Sequence, residues 1–134
     1  IKDILKMNAK SKNKFQINNF CGDLEAIVTL EQLKSLVSMM GIDSNYWLNS
    51  FKTEKITALN SKIELITDDN EKYSLEVSDI LNAIIDIILY KTNVNDSISD
   101  LIFDAFKDDE LGYMDCFHND SILQIATFGE LVYG

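Results

Sequence analysis

The chain has 134 residues, 46% of them hydrophobic, and a net charge of −10. That length fits one domain with a real core, and the longest apolar run falls well short of the roughly 20 residues that cross a bilayer. All 12 basic residues are lysine. The lack of arginine, the preferred bidentate ligand for phosphate, combines with the acidic balance to argue against direct binding of nucleic acid or nucleotides.

The charge is unevenly placed. Residues 1–14 carry five lysines and one aspartate, so the remainder is more acidic than the whole. Such a balance suits a basic partner or plain solubility. Cys21 and Cys116 lie far apart and read as two free, mostly buried thiols in a reducing compartment. The start lacks the apolar segment and cleavage site of a secretory signal, so the cytoplasm is the expected location. The chain does not open on methionine, which leaves processing, trimming or a longer parent open. Proline is absent, glycine occurs five times, and no repeat or low-complexity tract is visible. One α+β domain over residues 1–134 is expected.

Taken in order, residues 1–13 read either as a short helix, with Lys2, Lys6 and Lys10 on one face, or as a frayed basic segment. KFQINNF from Lys14 alternates Phe15 and Ile17 with Gln16 and Asn18, the period of a strand. A turn at Cys21, Gly22 and Asp23 precedes a second short strand over residues 24–28. Thr29 and Gln32 have capping-box spacing, and Leu30, Leu33, Leu36, Val37 and Met40 form one stripe of a helix. Gly41 is placed to end it. Asp43 or Ser44 then caps a second short helix through Phe51, with Trp47, Leu48 and Phe51 inward. Tyr46 beside Trp47 implies that one of the two is exposed; the plainer reading makes Trp47 core and Tyr46 half-buried.

From Lys55 the period changes to two. KIELIT and KYSLEV flank a polar turn at residues 68–71, predicting two or three antiparallel strands. Residues 78–91, SDILNAIIDIILYK, are apolar around most of a helical wheel, with a narrow strip of Asp79, Asn82 and Asp86. A helix of that kind is buried on several faces, so it is the expected centre of the core, capped by Ser78. A second amphipathic helix is predicted over residues 97–108, with Ile98, Leu101, Ile102, Ala105 and Phe106 inward. The last part reads as strands over residues 111–117 and 122–133, joined by a turn at His118, Asn119 and Asp120, with Gly129 at a bulge. The fold class is therefore α+β, with a mainly antiparallel sheet, a buried central helix over about residues 79–91 and flanking amphipathic helices.

The sharpest polar feature is Asp96, Asp100, Asp104 and Asp108. Their four-residue period puts them on one face of the helix, and Asp109 and Glu110 extend the cluster. Like charges four residues apart destabilise a helix by about 0.2–0.5 kcal/mol per pair. A docking face for a basic partner explains their retention, since complementary charge speeds encounter and aids selectivity. A merely solvated face is the alternative. Residues 68–71 lack the glycine and ligand spacing of a calcium loop, and residues 93–100 have alternate oxygen side chains but no leading aspartate and no glycine, so no metal is expected. Cys116 and His118 lack a second ligand pair for zinc, and Cys21 with His118 has no local support as a nucleophile and base. No catalytic motif is present, so neither an enzyme nor a cofactor is expected.

In size, charge and the acidic stretch from Asp96 to Asp120, the chain resembles the small acidic immunity proteins of bacterial toxin systems such as contact-dependent growth inhibition. The resemblance implies a non-enzymatic inhibitor that binds a cognate, basic, nuclease-type toxin domain and covers its active site. It makes Asp96, Asp100, Asp104, Asp108, Asp109 and Glu110 the partner-binding residues. The alternatives are a nucleic-acid mimic of the anti-restriction or anti-CRISPR type, or a non-catalytic domain of a larger assembly. Four helical residues rise by about 6 Å, close to a phosphate spacing, but one helix is a short row for a mimic.

Overall fold

The computed structural model describes residues 5–7, 14–18 and 25–134, with side-chain surroundings from Val28 onward. Its elements are β1 (Leu5–Met7), β2 (Lys14–Asn18), β3 (Glu25–Thr29), α1 (Leu30–Asp43), β4 (Leu48–Thr53), β5 (Lys62–Thr67), β6 (Lys72–Glu76), α2 (Val77–Ile88), α3 (Asp96–Lys107), a 3-10 turn at Leu111–Tyr113 and α4 (Cys116–Phe128). The class is α+β, with two three-stranded antiparallel sheets in the orders β1–β2–β3 and β4–β5–β6. Leu5–Met7 is a strand, so the helical reading of residues 1–13 fails there. Lys2, Lys10 and the turn at Cys21, Gly22 and Asp23 lie outside the described residues.

The start of α1 follows its sequence signature. Thr29 Oγ1 accepts from the Gln32 N–H at 3.1 Å, and Gln32 Oε1 accepts from the Thr29 N–H at 2.8 Å. Two orphan donors of the first turn are thereby satisfied. Gly41 does not stop the helix, which runs on to Asp43. A Cβ at Gly41 would lie 2.9 Å from the Phe51 ring, so this glycine lets α1 sit close against β4.

The expected short helix through Phe51 is not formed. Residues 44–47 turn, and Leu48–Thr53 pairs with β5 as a strand. Leu48 and Phe51 have helical spacing, but ladder bonds to β5 outweigh so short a local preference, and a register shift between Leu48 and Ser50 accommodates both side chains. The β5–β6 hairpin turns at residues 68–71, where Asn70 takes a positive φ of 65°. That is the left-handed conformation asparagine tolerates best among non-glycine residues.

Helix α2 forms the centre. Val77, Ile80, Leu81, Ala83, Ile84, Ile85, Ile87 and Ile88 are all buried, and α1, α3, α4 and β6 pack around them. Its cap is Glu76, not Ser78: Asp79 Oδ2 accepts from the Glu76 N–H at 2.8 Å, while the Ser78 N–H goes to Leu59 O. Asp79, Asn82 and Asp86 form the half-buried strip. Burial raises the Asp86 carboxyl above the ordinary carboxylate range, and Lys91 partly opposes this. Among the described residues no helix is long and apolar enough to cross a membrane.

The C-terminal part departs most from expectation. Residues 116–128 are helix α4, not strands, and His118, Asn119 and Asp120 lie inside it rather than in a turn. Asp115 Oδ1 accepts from the Phe117 N–H at 2.9 Å and the His118 N–H at 3.3 Å, capping the start. Gly129, at φ 79°, ends the helix rather than forming a bulge. Cys116 is a free thiol and exposed, contrary to the buried thiol expected, whereas Cys21 lies outside the described residues.

Candidate functional site

The acidic row is built by α3. Asn95 caps it, its Oδ1 accepting from the Ser97 N–H at 2.8 Å. Ser99, Ile102, Ala105 and Phe106 turn inward, which fixes Asp96, Asp100, Asp104 and Asp108 outward. All four are exposed, as are Asp109 and Glu110. Lys107 is the only cation on the helix. It pairs with Asp104 at 3.7 Å and lies 5.3 Å over the Phe103 ring. An exposed pair of that length neutralises little of the row.

The six acids do not form one equivalent set. Asp100, Asp104 and Asp108 share an open depression with Ser97, Leu101 and Tyr113. On the opposite flank, Asp100 and Asp104 border a second hollow with Ile88, Tyr90 and Phe103. Asp96 stands in the first helical turn. Asp109 turns away at φ 52°, and its Oδ1 accepts from Gln32 Nε2 at 2.7 Å. Glu110 donates its N–H to Ala105 O at 2.8 Å, and Asp109 its N–H to Phe106 O at 3.2 Å. These two bonds satisfy the last carbonyls of α3. Asp109 thus ties the end of α3 to Gln32 of α1, whereas Asp104 pairs only with Lys107 of its own helix.

Two residues outside the expected set complete the surface. Tyr90 and Tyr113 are 53% and 48% exposed and stand on opposite flanks of the row. The sequence pattern put Tyr90 among the apolar residues of the core helix. In the structure α2 stops before it, and Tyr90 takes φ 58°. Its N–H donates to Ile87 O, the Lys91 N–H donates to Asp86 O, and its hydroxyl donates to Asp100 Oδ1. That last bond, followed by burial and the charge of Asp100 itself, raises the Tyr90 phenol above its ordinary range. A tyrosine in the left-handed region is strained, and such strain clusters at functional sites. Exposed tyrosine beside carboxylates offers apolar area and a hydrogen-bonding tip to a cationic partner.

A second polar centre was not legible as one. Asp120 is only 6% exposed. Its Oδ1 accepts from Ser44 Oγ at 2.6 Å and Trp47 Nε1 at 2.7 Å. Its Oδ2 accepts from Tyr46 Oη at 2.5 Å and Gln124 Nε2 at 2.9 Å. Trp47 is core and Tyr46 is 52% exposed, so the split expected for this pair holds. Burial of the hydroxyl and the Asp120 carboxylate push the Tyr46 phenol up to about 12, with Gln124 pulling the other way. Four donors fill the lone-pair sites of this carboxylate, which leaves it no free acceptor for catalysis. His118 Nδ1 lies 2.8 Å from Asp115 Oδ1 at the start of α4, a capping position. Among the described residues no group of three or more His, Cys, Asp or Glu side chains is arranged to hold a metal. Comparison with models of known protein families, with curated proteins and with solved structures gave no match.

Proposed function

We propose that this chain is a binding protein whose α3 face docks a basic protein, and that it acts as an immunity protein neutralising a cognate nuclease-type toxin domain. The observation that supports this reading is the exposed row Asp96, Asp100, Asp104 and Asp108 with Tyr90 and Tyr113 on its flanks. The row is roughly 18 Å long at 1.5 Å per residue, enough for several lysine or arginine side chains of a partner. Its carboxylates repel one another in the free protein, and a cationic partner removes that repulsion on binding. The flanking tyrosines favour protein docking over mimicry of nucleic acid, because a mimic needs further acids where they stand. Asp109 contributes through the fold more than through contact.

The test is titration calorimetry with the toxin domain encoded beside this chain. Replacing Asp96, Asp100, Asp104 and Asp108 with lysine should weaken binding by at least about a hundredfold, or roughly 2.7 kcal/mol. It should also remove most of the salt dependence of the association rate. Unchanged affinity in a folded variant would overturn the assignment.

A further inference from the structure

The surface around the 3-10 turn Leu111–Tyr113 continues beyond the acidic row. Tyr113 lines the depression that holds Asp100, Asp104 and Asp108. Leu111, two residues back, lines a separate groove with Leu36 and Met39 of α1, Met114 and Asn119. The two hollows are thus joined by one short turn. The groove holds about 190 Å³, below the roughly 300–1,000 Å³ of small-molecule sites. Met39 is 52% exposed on its rim. Methionines of this kind adapt to varied apolar side chains.

Two polar side chains line the groove, Ser35 at its exposed edge and the buried Asn119. Asn119 is 3% exposed. Its Nδ2 donates to Asp43 Oδ2 at 2.8 Å, but its Oδ1 has no hydrogen-bond partner among the described residues. A buried acceptor without a donor is costly, and a ligand that brings a donor removes the cost.

We infer that the groove and the acidic row form one composite site for a cationic amphipathic segment of the partner. Resting on the docking reading above, this names what the partner presents. An apolar side chain enters between Met39, Leu111 and Met114 and opens the groove over Asn119 Oδ1, which is closed to solvent in the free protein, so that a donor beside it reaches that oxygen. Lysine or arginine side chains one or two helical turns away lie across the 3-10 turn on Asp100, Asp104 and Asp108. Charge complementarity selects this occupant: an acidic or neutral segment seated in the groove would meet the same carboxylates without compensation.

The test uses two synthetic helical peptides of about 14 residues, roughly four turns each. One carries lysines on one face and leucines on the other; the second replaces every leucine with serine. Methyl NMR follows the methionines. The Lys/Leu peptide should shift the Met39 and Met114 methyls and leave the buried Met40 methyl in place. It should bind at least about tenfold tighter than the Lys/Ser peptide, and Met39→Gln should erase that margin. Unmoved Met39 and Met114 methyls, or equal binding of both peptides, would overturn the groove. If D100K/D104K abolishes binding while Met39→Gln does not, the acidic face stands and the groove falls. If D100K/D104K leaves the affinity for both peptides unchanged, the docking reading itself falls.

Discussion

Trp47 Nε1 donates to Asp120 Oδ1 at 2.7 Å, tying the turn after α1 to the second turn of α4. The same carboxylate gathers Ser44, Tyr46 and Gln124. Gln124 carries the network onward: its Oε1 accepts from the Val132 and Tyr133 N–H groups at 2.8 and 2.9 Å. Tyr133 in turn stacks on Trp47, with centroids 5.3 Å apart and planes 10° apart. One buried carboxylate thus organises two distant stretches and the C-terminal residues. Asp120→Asn keeps the shape but sets an amide donor against groups that already donate. It should destabilise the protein by about 1–3 kcal/mol. Trp47, the only tryptophan, reports this directly in a fluorescence-detected denaturation curve.

The Tyr46 hydroxyl should titrate well above the ordinary phenol range. Its phenol is pushed up to about 12, against an ordinary value of about 10. The neutral form is therefore favoured more in the folded than in the unfolded state. Its contribution to stability is whole below about pH 10 and is lost as pH rises toward 12. Spectrophotometric titration should show a phenolate step near pH 12, and Tyr46→Phe should remove it. The same variant should lose less of its remaining stability over that window than the parent protein does.

The acidic row on α3 and the Asp120 network on α4 differ in how far the sequence disclosed them. Thr29 with Gln32, the hairpin turn at residues 68–71, α2 and α3 were readable because each is set by local chemistry: a cap, a turn, or a helical period with one clear apolar face. Helix α4 was not readable, because seven consecutive residues from Asn119 to Ile125 are buried, and four of them are polar. Polar residues satisfied inside the core blur the apolar period and resemble a turn. The aspartate at position 115 followed by Phe117 and His118 was the available signal for a cap, with Gly129 as the stop. Tyr90 was misplaced for another reason. Its apolar ring fits the pattern of α2, and nothing local reveals that the helix ends at Ile88.

Gln32 closes the capping box of α1 and also donates Nε2 to Asp109, so one side chain fastens the start of α1 to the end of α3. Gln32→Ala should cost about 1–3 kcal/mol: Thr29 Oγ1 keeps the backbone N–H of residue 32, but the Thr29 N–H loses its acceptor and the Asp109 bond is left unmade. Asp109→Asn keeps an acceptor and a residue tolerant of the left-handed region. It should change stability by less than about 0.5 kcal/mol. Partner affinity should stay within about twofold, because Asp109 faces Gln32 rather than the row. A loss of affinity comparable to that of Asp100→Asn would return Asp109 to the docking set.

Tyr90 combines backbone strain with a position beside the row. A non-glycine residue in the left-handed region costs about 1–2 kcal/mol relative to an unstrained one, and glycine takes φ 58° freely. Tyr90→Gly releases that strain, while the exposed hydroxyl bond to Asp100 returns little when lost. The variant should therefore gain roughly 0.5–1 kcal/mol of stability, read from chemical denaturation. It should also bind a cationic partner more weakly, by about 1 kcal/mol or more, if the ring supplies contact area to lysine or arginine side chains. Tyr90→Phe separates the two effects: it keeps the ring and the strain and gives up only the hydroxyl, so it should retain most of the affinity and gain no stability. A Tyr90→Gly variant with raised stability and full affinity would make Tyr90 a strained helix end and no part of the interface.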